Sequence, residues 1–463
     1  MKLDDMFKKI NVNRLLWVVL GALLVIIFFH SLNRFFDHDE FEAIHTSWKM
    51  LHGEKIYVDF FQHHHPLLYY LLIPIIGTLG ENIHTIIAVR IIIYLTLLLI
   101  FFITYLIARN NFGKEVGIVS LLLLSSTYVF VIKAVEIRPN VPESLFALIS
   151  IFFLLINLKK RSLLYLALSA VSLGIAFLFF QLALFLIVFI GCLFLFDAYK
   201  RNIYFRDVLI YFLLFILTII PYAVYLYCTN SFYSYFRFNW ILNMKIFTHF
   251  TPYSLLLDTY KINTFLSVFY LVGLLFFMTQ PNRKRIGILS LGLLLSIFFV
   301  RQPWPQYFML VMPLIAIISA QAIYTIFKSS KAMLFVVLIL SVGPHIQWLA
   351  QGARNTNGEQ LKKIEYVLSI TRGNDYVYDG NILFNIFRKD IDFFWFSIDP
   401  RWTTLETFQT MTDYKYDIYE IINRVKPKVI SNYYIGNMED HRIKNHYERS
   451  KQYADLFIRI DSR

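Results

Sequence analysis

Cysteine is scarce. The 463 residues contain two, Cys192 inside an apolar run and Cys228 at the end of another. A pair so placed does not make a structural staple, so cysteine usage says nothing of the redox compartment. Charge is thin as well. Asp, Glu, Lys and Arg make up 16% of the chain against 57% hydrophobic and 18% aromatic residues, which excludes an ordinary soluble globular protein. There is no Gly-rich phosphate loop, no dinucleotide fingerprint, no zinc-type spacing and no internal repeat. A reaction driven by ATP or a nucleotide sugar therefore has no support in the sequence. The net charge of +13 is not a nucleic-acid signal, because most Lys and Arg sit in short loops between apolar runs, the pattern that records membrane orientation.

What is present is a series of membrane-length apolar windows, at 15–32, 83–107, 115–132, 143–158, 207–228, 263–280, 286–300, 307–327 and 331–349. The first follows Lys2, Lys8, Lys9 and Arg14 and lacks a small-residue cleavage site after it, so it reads as a retained helix rather than a signal peptide. The region 162–196 would be roughly 50 Å long as one helix, against a hydrocarbon core of about 30 Å. Basic residues flank both of its ends, so it reads as two short helices turning near Phe180-Gln181. The expected fold is an all-α polytopic membrane protein with about 11 transmembrane helices over residues 1–350. The segment 67–80 is short and broken by Pro74 and Gly77, which suits an interfacial or partly inserted helix. The loops that end at Arg14, Lys114, Arg161, Arg206, Arg285 and Lys331 carry 17 Lys or Arg, whereas the alternate loops carry 9. That bias places the N-terminus in the cytoplasm and everything after about Gln351 outside. The last stretch, 351–463, mixes strand-like runs (374–380, 428–433, 453–460) with helical ones (361–369, 416–425). It reads as a small extracytoplasmic α/β domain.

Three outward constellations could carry chemistry. The first follows span one: Asp37-His38-Asp39-Glu40, then a loop with His63-His64-His65-Pro66. Carboxylates at a membrane exit are costly unless they face water and work there. Asp39 and Glu40 are candidate catalytic groups, because two close carboxylates push one pKa toward neutrality. Asp37 and His65 are candidate substrate contacts, and the bland alternative for the acids is a solvated turn that caps a helix. Adjacent histidines point in different directions, which favours packing or hydrogen bonding over zinc. The second constellation, 133–143, is stiffened by Pro139 and Pro142. Lys133 and Arg138 could clamp a phosphate. Glu136 and Glu143 could contact substrate, and Asp39 with Glu136 is the pair for a divalent cation such as Mg or Mn. The third, Arg301-Gln302-Pro303-Trp304-Pro305-Gln306-Tyr307-Phe308, offers Arg301 to a phosphate and Gln306 and Tyr307 to a sugar hydroxyl.

The order and sidedness of these motifs resemble the GT-C superfamily of integral-membrane glycosyltransferases, in the branch of the protein O-mannosyltransferases and the lipid A aminoarabinose transferase. Asp39-Glu40 matches the acidic pair after span one, and His65-Pro66-Leu67-Leu68-Tyr69 resembles the His-Pro-Pro-Leu element with one proline missing. Arg138-Pro139 matches the Arg-Pro-acid element, although the acid is replaced by Asn140. Gln181 stands where many relatives have Lys, and Trp304 to Pro313 resembles the aromatic entry to a late span. The resemblance implies a polyprenyl-phosphate sugar donor, a lipid, glycan or protein acceptor, and inverting transfer on the outer face of the inner (plasma) membrane. Asp39 would act as general base, and Arg138, Arg301 and Lys133 would meet the donor phosphate.

A transporter or flippase of lipid-linked sugars is the rival from another class. Such proteins keep ionisable groups near the membrane midplane and often show paired halves. Here charges cluster at the outer mouth. A glycan polymerase or ligase would concentrate its charge in a large late loop, and 229–262 is such a loop, but the stronger acidic cluster comes first.

Overall fold

Uninterrupted apolar runs in lipid satisfy their backbone only as helices, and the computed structural model of the chain is mostly helical. It describes residues 12–200, 203–246, 251–301 and 303–460. Lys2, Lys8, Lys9 and Arg201, which entered the charge bias, lie outside the described residues. Among the described residues the chain divides into two compact units that interleave along the sequence. One holds residues up to Arg34, Ile91–Tyr222 and Phe250–Arg354, and the other holds Phe35–Arg90, Ala223–His249 and Asn355–Arg463.

The first unit contains helices at each apolar window assigned to it. Among the described residues five helices are long and apolar enough to cross a membrane alone: Arg14–Asn33, Ile83–Phe112, Asn140–Lys160, Phe205–Cys228 and Lys331–Gly352. Two more crossings arise if each bent pair counts as one. The window at 115–132 is one of these pairs, Lys114–Ser126 and Tyr128–Ala134, bent by 75° rather than straight. The cause lies in the sequence. Ser125, Ser126 and Thr127 turn their hydroxyls back onto the carbonyls of Leu122 and Leu123, and Thr127 leaves the helical region at φ −71, ψ 103. Side-chain bonds of this kind compete with the helix ladder. Pro252–Ile262 and Thr264–Thr279 form the second pair, bent by 105°. The eleven-crossing expectation also needs the shorter helices Leu163–Phe179, Ala183–Tyr199, Pro281–Leu295 and Met312–Phe327. The first two of these are the expected turn of 162–196, broken where Phe180 is extended at φ −155. Neighbouring helices approach closely where glycine allows it. A Cβ on Gly174 would lie 2.7 Å from Thr218, and one on Gly273 would lie 2.6 Å from the Ile318 carbonyl, the small-residue packing usual in lipid.

The second unit joins the short helices His38–Leu51 and Leu67–Leu79 to the C-terminal residues. Its sheet has the order β1-β2-β4-β3, with β1 at Val377–Tyr378, β2 at Val429–Ser431, β3 at Tyr447–Arg449 and β4 at Leu456–Arg459. The pair β1–β2 is parallel, and β4 runs antiparallel to both β2 and β3. The parallel pair requires a long crossover, which contains the helices Thr404–Thr412 and Ile418–Val425. Strand β3 and the helix at 404–412 were not expected from the sequence. Aromatic rings fill the core. Phe61 stacks on Phe394 at 4.4 Å and meets Phe396, Phe408 and Phe238, while Trp395 Nε1 donates to the Phe61 carbonyl at 2.8 Å.

Candidate active site

The helix His38–Leu51 begins in a capping box. The Asp37 carboxylate accepts from the Asp39 backbone N–H at 3.2 Å, and Glu40 Oε1 accepts from the Asp37 N–H at 3.0 Å, which satisfies donors at the helix start. Glu40 is fully buried and meets Arg90 through two bonds, Nε to Oε2 at 2.9 Å and Nη2 to Oε1 at 2.7 Å. The guanidinium also sits over the Phe36 ring at 3.5 Å. Both Glu40 oxygens are thus committed. Asp39 remains the more open group of the expected catalytic pair, its side chain 31% exposed. The imidazole of His38 bridges its neighbours, with Nδ1 3.3 Å from Asp37 and Nε2 3.0 Å from Asp39. These three residues offer ligand atoms within 4.8 Å of one another, but the histidine already answers both carboxylates, so the trio closes on itself.

One turn past Asp39, the sequence reading passed over Glu42. Its carboxylate is buried and, among the described residues, pairs with no cation. The Tyr69 hydroxyl donates to Oε1 at 3.0 Å, Thr46 Oγ1 donates to the same oxygen at 3.4 Å, and the Gln62 amide donates to it as well. Burial, followed by the charge of Asp39, pushes the Glu42 carboxyl from its ordinary 4.5 up to about 7. Nearby, His63 has its Nδ1 buried without a hydrogen-bond partner among the described residues. Burial, opposed by the charge of Asp39, lowers His63 to about 4, and its ring stacks on Phe396 at 5.4 Å. His65 is buried, and its Nε2 lies 3.0 Å from the Tyr235 hydroxyl.

The C-terminal residues hold the far end of this helix. His45 Nε2 and Lys49 Nζ reach Asp390 Oδ2 at 2.8 and 2.7 Å. Burial opposes the charge on Asp390, yet His45 and Lys49 outweigh it and keep the carboxyl below its ordinary value. Trp48 Nε1 donates to Glu81 at 2.8 Å, and Arg388 Nη1 meets the other Glu81 oxygen at 2.9 Å. None of these partners had a signal in the sequence, because each contact joins residues far apart in the chain.

In the first unit, Glu136 is fully buried among three cations. Arg34 Nη2 is 2.5 Å from Oε1, Lys133 Nζ is 3.0 Å from both oxygens, and Arg138 Nε donates to Oε2. Burial works against the Glu136 charge, but Arg138, Lys133 and Arg34 overcome it and hold the carboxyl at about 2. Three cations around one carboxylate leave positive charge in excess. That setting suits an anion, and it makes Glu136 a poor metal ligand. Arg34 belongs to this cluster and was not singled out in the sequence. Glu143, Gln306 and Tyr307 come together with Asn140, Leu182 and Phe185 around one small cavity, where Glu143 Oε1 lacks a hydrogen-bond partner among the described residues. Arg301 is exposed and does not line that cavity.

Residues 64–227 match the sequence family described as dolichyl-phosphate-mannose-protein mannosyltransferase. The matched stretch includes His65, Lys133, Glu136, Arg138 and Glu143, and begins after Asp39. No curated protein sequence matches the chain. Among solved structures, ArnT of Cupriavidus metallidurans bound to undecaprenyl phosphate superposes with a TM-score of 0.69 at 12% identity, over 96% of this chain and 97% of that one. The same protein in the apo state gives 0.64 at 12% identity, over 81% and 85%. The oligosaccharyltransferase of Archaeoglobus fulgidus in the apo form gives 0.53 at 13% identity, over 76% of this chain and 58% of that one. The chain thus has the fold of ArnT, with several helices long and apolar enough to cross a membrane among the described residues.

Proposed function

We propose that the chain is a glycosyltransferase that moves a sugar from a polyprenyl-phosphate donor to a hydroxyl acceptor on the outer face of the membrane, with inversion. The observation that carries this reading is the nearly end-to-end likeness to ArnT, a protein whose structure was solved with undecaprenyl phosphate bound. In the reaction the acceptor oxygen forms a bond to the anomeric carbon from the face opposite the phosphate. The bond from that carbon to the phosphate oxygen breaks, and its electron pair leaves with the lipid phosphate. Asp39, open and at the start of a rigidly capped helix, takes the acceptor proton. Glu40, held by Arg90, fixes that helix start.

The phosphate gains charge as it leaves and needs preorganised cations. The excess positive charge of Lys133, Arg138 and Arg34 around Glu136 supports this role, with exposed Arg301 as a further candidate. The cavity at Glu143, Gln306 and Tyr307 supports a sugar or acceptor contact, because a buried carboxylate oxygen without a donor is costly and a hydroxyl would satisfy it. The C-terminal residues braced against the Asp39 helix suit acceptor contact or cover on the outer side.

The test uses membrane vesicles supplied with radiolabelled polyprenyl-phosphate sugars, comparing the wild type with Asp39→Asn at matched expression. The expected outcome is transfer of label by the wild type and a loss of about 10²- to 10⁴-fold in the variant. Equal transfer by both proteins would remove Asp39 from the chemistry. Label that crosses the bilayer without being transferred would replace this reading with a flippase.

A further inference from the structure

Glu42 is a buried titratable group that the proposed chemistry leaves unused, and its surroundings set it apart from other buried acids of the same unit. Glu40 has Arg90, and Asp390 has His45 and Lys49. Among the described residues Glu42 has hydrogen-bond donors alone. Those donors come from three places: Thr46 on its own helix, Gln62 in the following loop and Tyr69 on the helix Leu67–Leu79. All three converge on Oε1, which holds that end of the carboxyl group in place. Residues three apart on a helix share a face, so Glu42 stands one turn behind Asp39 on the helix that presents it.

We propose that Glu42 is a positioning residue acting through Asp39, the site where the proton taken from the acceptor comes to rest before it is released to water. The inference rests on the transferase reading given above. In the balanced step the acceptor hydroxyl proton passes to Asp39 as the glycosidic bond forms and the bond to phosphate breaks. It then moves from Asp39 to the Glu42 carboxylate, returning Asp39 to its charged form for the next turnover.

The electrostatics agree. The titratable groups facing Glu42 are Asp39 on its own helix and Tyr69 on the neighbouring one, while His63, in the field of the same Asp39, is held neutral by its burial. Burial and Asp39 together bring Glu42 to about 7, and a proton acceptor works best with an affinity near the operating pH. Two coupled carboxylates titrate as a pair. The form with both ionised is the stronger base, so turnover should rise with pH through about 7.

The experiment measures the pH dependence of kcat and KM for lipid-donor transfer by the wild type, Glu42→Gln and Tyr69→Phe. Glu42→Gln keeps the shape but cannot titrate. Its kcat is expected to fall by about 10-fold or more, with KM for the donor unchanged and the rise near pH 7 absent. Tyr69→Phe removes a donor that favours the charged form, so the rise should move to higher pH by about one unit. A Glu42→Gln profile that keeps the rise near pH 7, or a Tyr69→Phe profile superimposed on the wild type, would overturn the inference and leave the transferase reading intact. Absence of transfer by the wild-type protein from every lipid donor would overturn both. Should Glu42→Gln not fold, the direction of the Tyr69→Phe shift decides alone.

Discussion

Asp37, Asp39, Glu40 and Glu42 lie within six positions of one another, and each meets a different environment. Asp37 caps a helix, Asp39 is partly exposed beside His38, Glu40 is neutralised by Arg90, and Glu42 is buried among neutral donors. Removing one member of a buried ion pair strands the other charge, which costs about 3–5 kcal/mol. Arg90→Met is therefore expected to lower the unfolding midpoint strongly in detergent, by far more than Asp39→Asn, and a thermal shift assay would show the difference. Glu136 gives a prediction of pH dependence. Its folded carboxyl lies near 2 against an ordinary 4.5, so the ionised form is favoured by folding. That stabilisation is complete above about 4.5 and fades as pH falls toward 2. Midpoints measured across this window should drop in the wild type, and part of that slope should vanish in Glu136→Gln.

At the scale of elements, composition and period brought out most of what lipid dictates. The apolar windows became helices, and the over-long run at 162–196 turned where a straight helix would have overshot the membrane. The acidic cluster after span one was also legible, because carboxylates at a membrane exit carry a known cost. Where bends and partners fall was less so. Thr127 breaks a window that reads as continuous, since hydropathy does not register hydroxyls that bond back onto the helix. Glu42 gave no signal, because its meaning depends on Gln62 and Tyr69 folding over it. Strand β3 is three residues long, too short for any alternation to show. The turn after β1 depends on Gly380, which sits at φ 88, and a Cβ there would lie 2.7 Å from that of Tyr433. Beside it the Asp379 carboxylate gathers the N–H groups of Ile382, Leu383, Phe384 and Asn385. Gly380→Ala is expected to destabilise the C-terminal residues by about 1–3 kcal/mol, and limited proteolysis should then cut between 380 and 400 sooner than in the wild type.

For the molecule as a whole, the distribution of Lys and Arg proposes that the C-terminal residues are extracytoplasmic. Asn374 is exposed, so Asn374→Cys, with Cys192 and Cys228 replaced by Ser, should react with a membrane-impermeant maleimide in intact cells. Reaction only after permeabilisation would reverse the orientation. The pairing of His45 and Lys49 with Asp390 has a temporal consequence. These residues lie 345 and 341 positions apart. At a synthesis rate of about 5–20 residues per second, the ribosome needs roughly 20 to 70 s to deliver Asp390 after the helix that awaits it. During that interval His45 and Lys49 wait for Asp390, with Glu54 the carboxylate already at hand for Lys49, while the intervening segments are made. This contact can form only near the end of translation, so a chain truncated shortly before Asp390 would leave His45 and Lys49 without that partner.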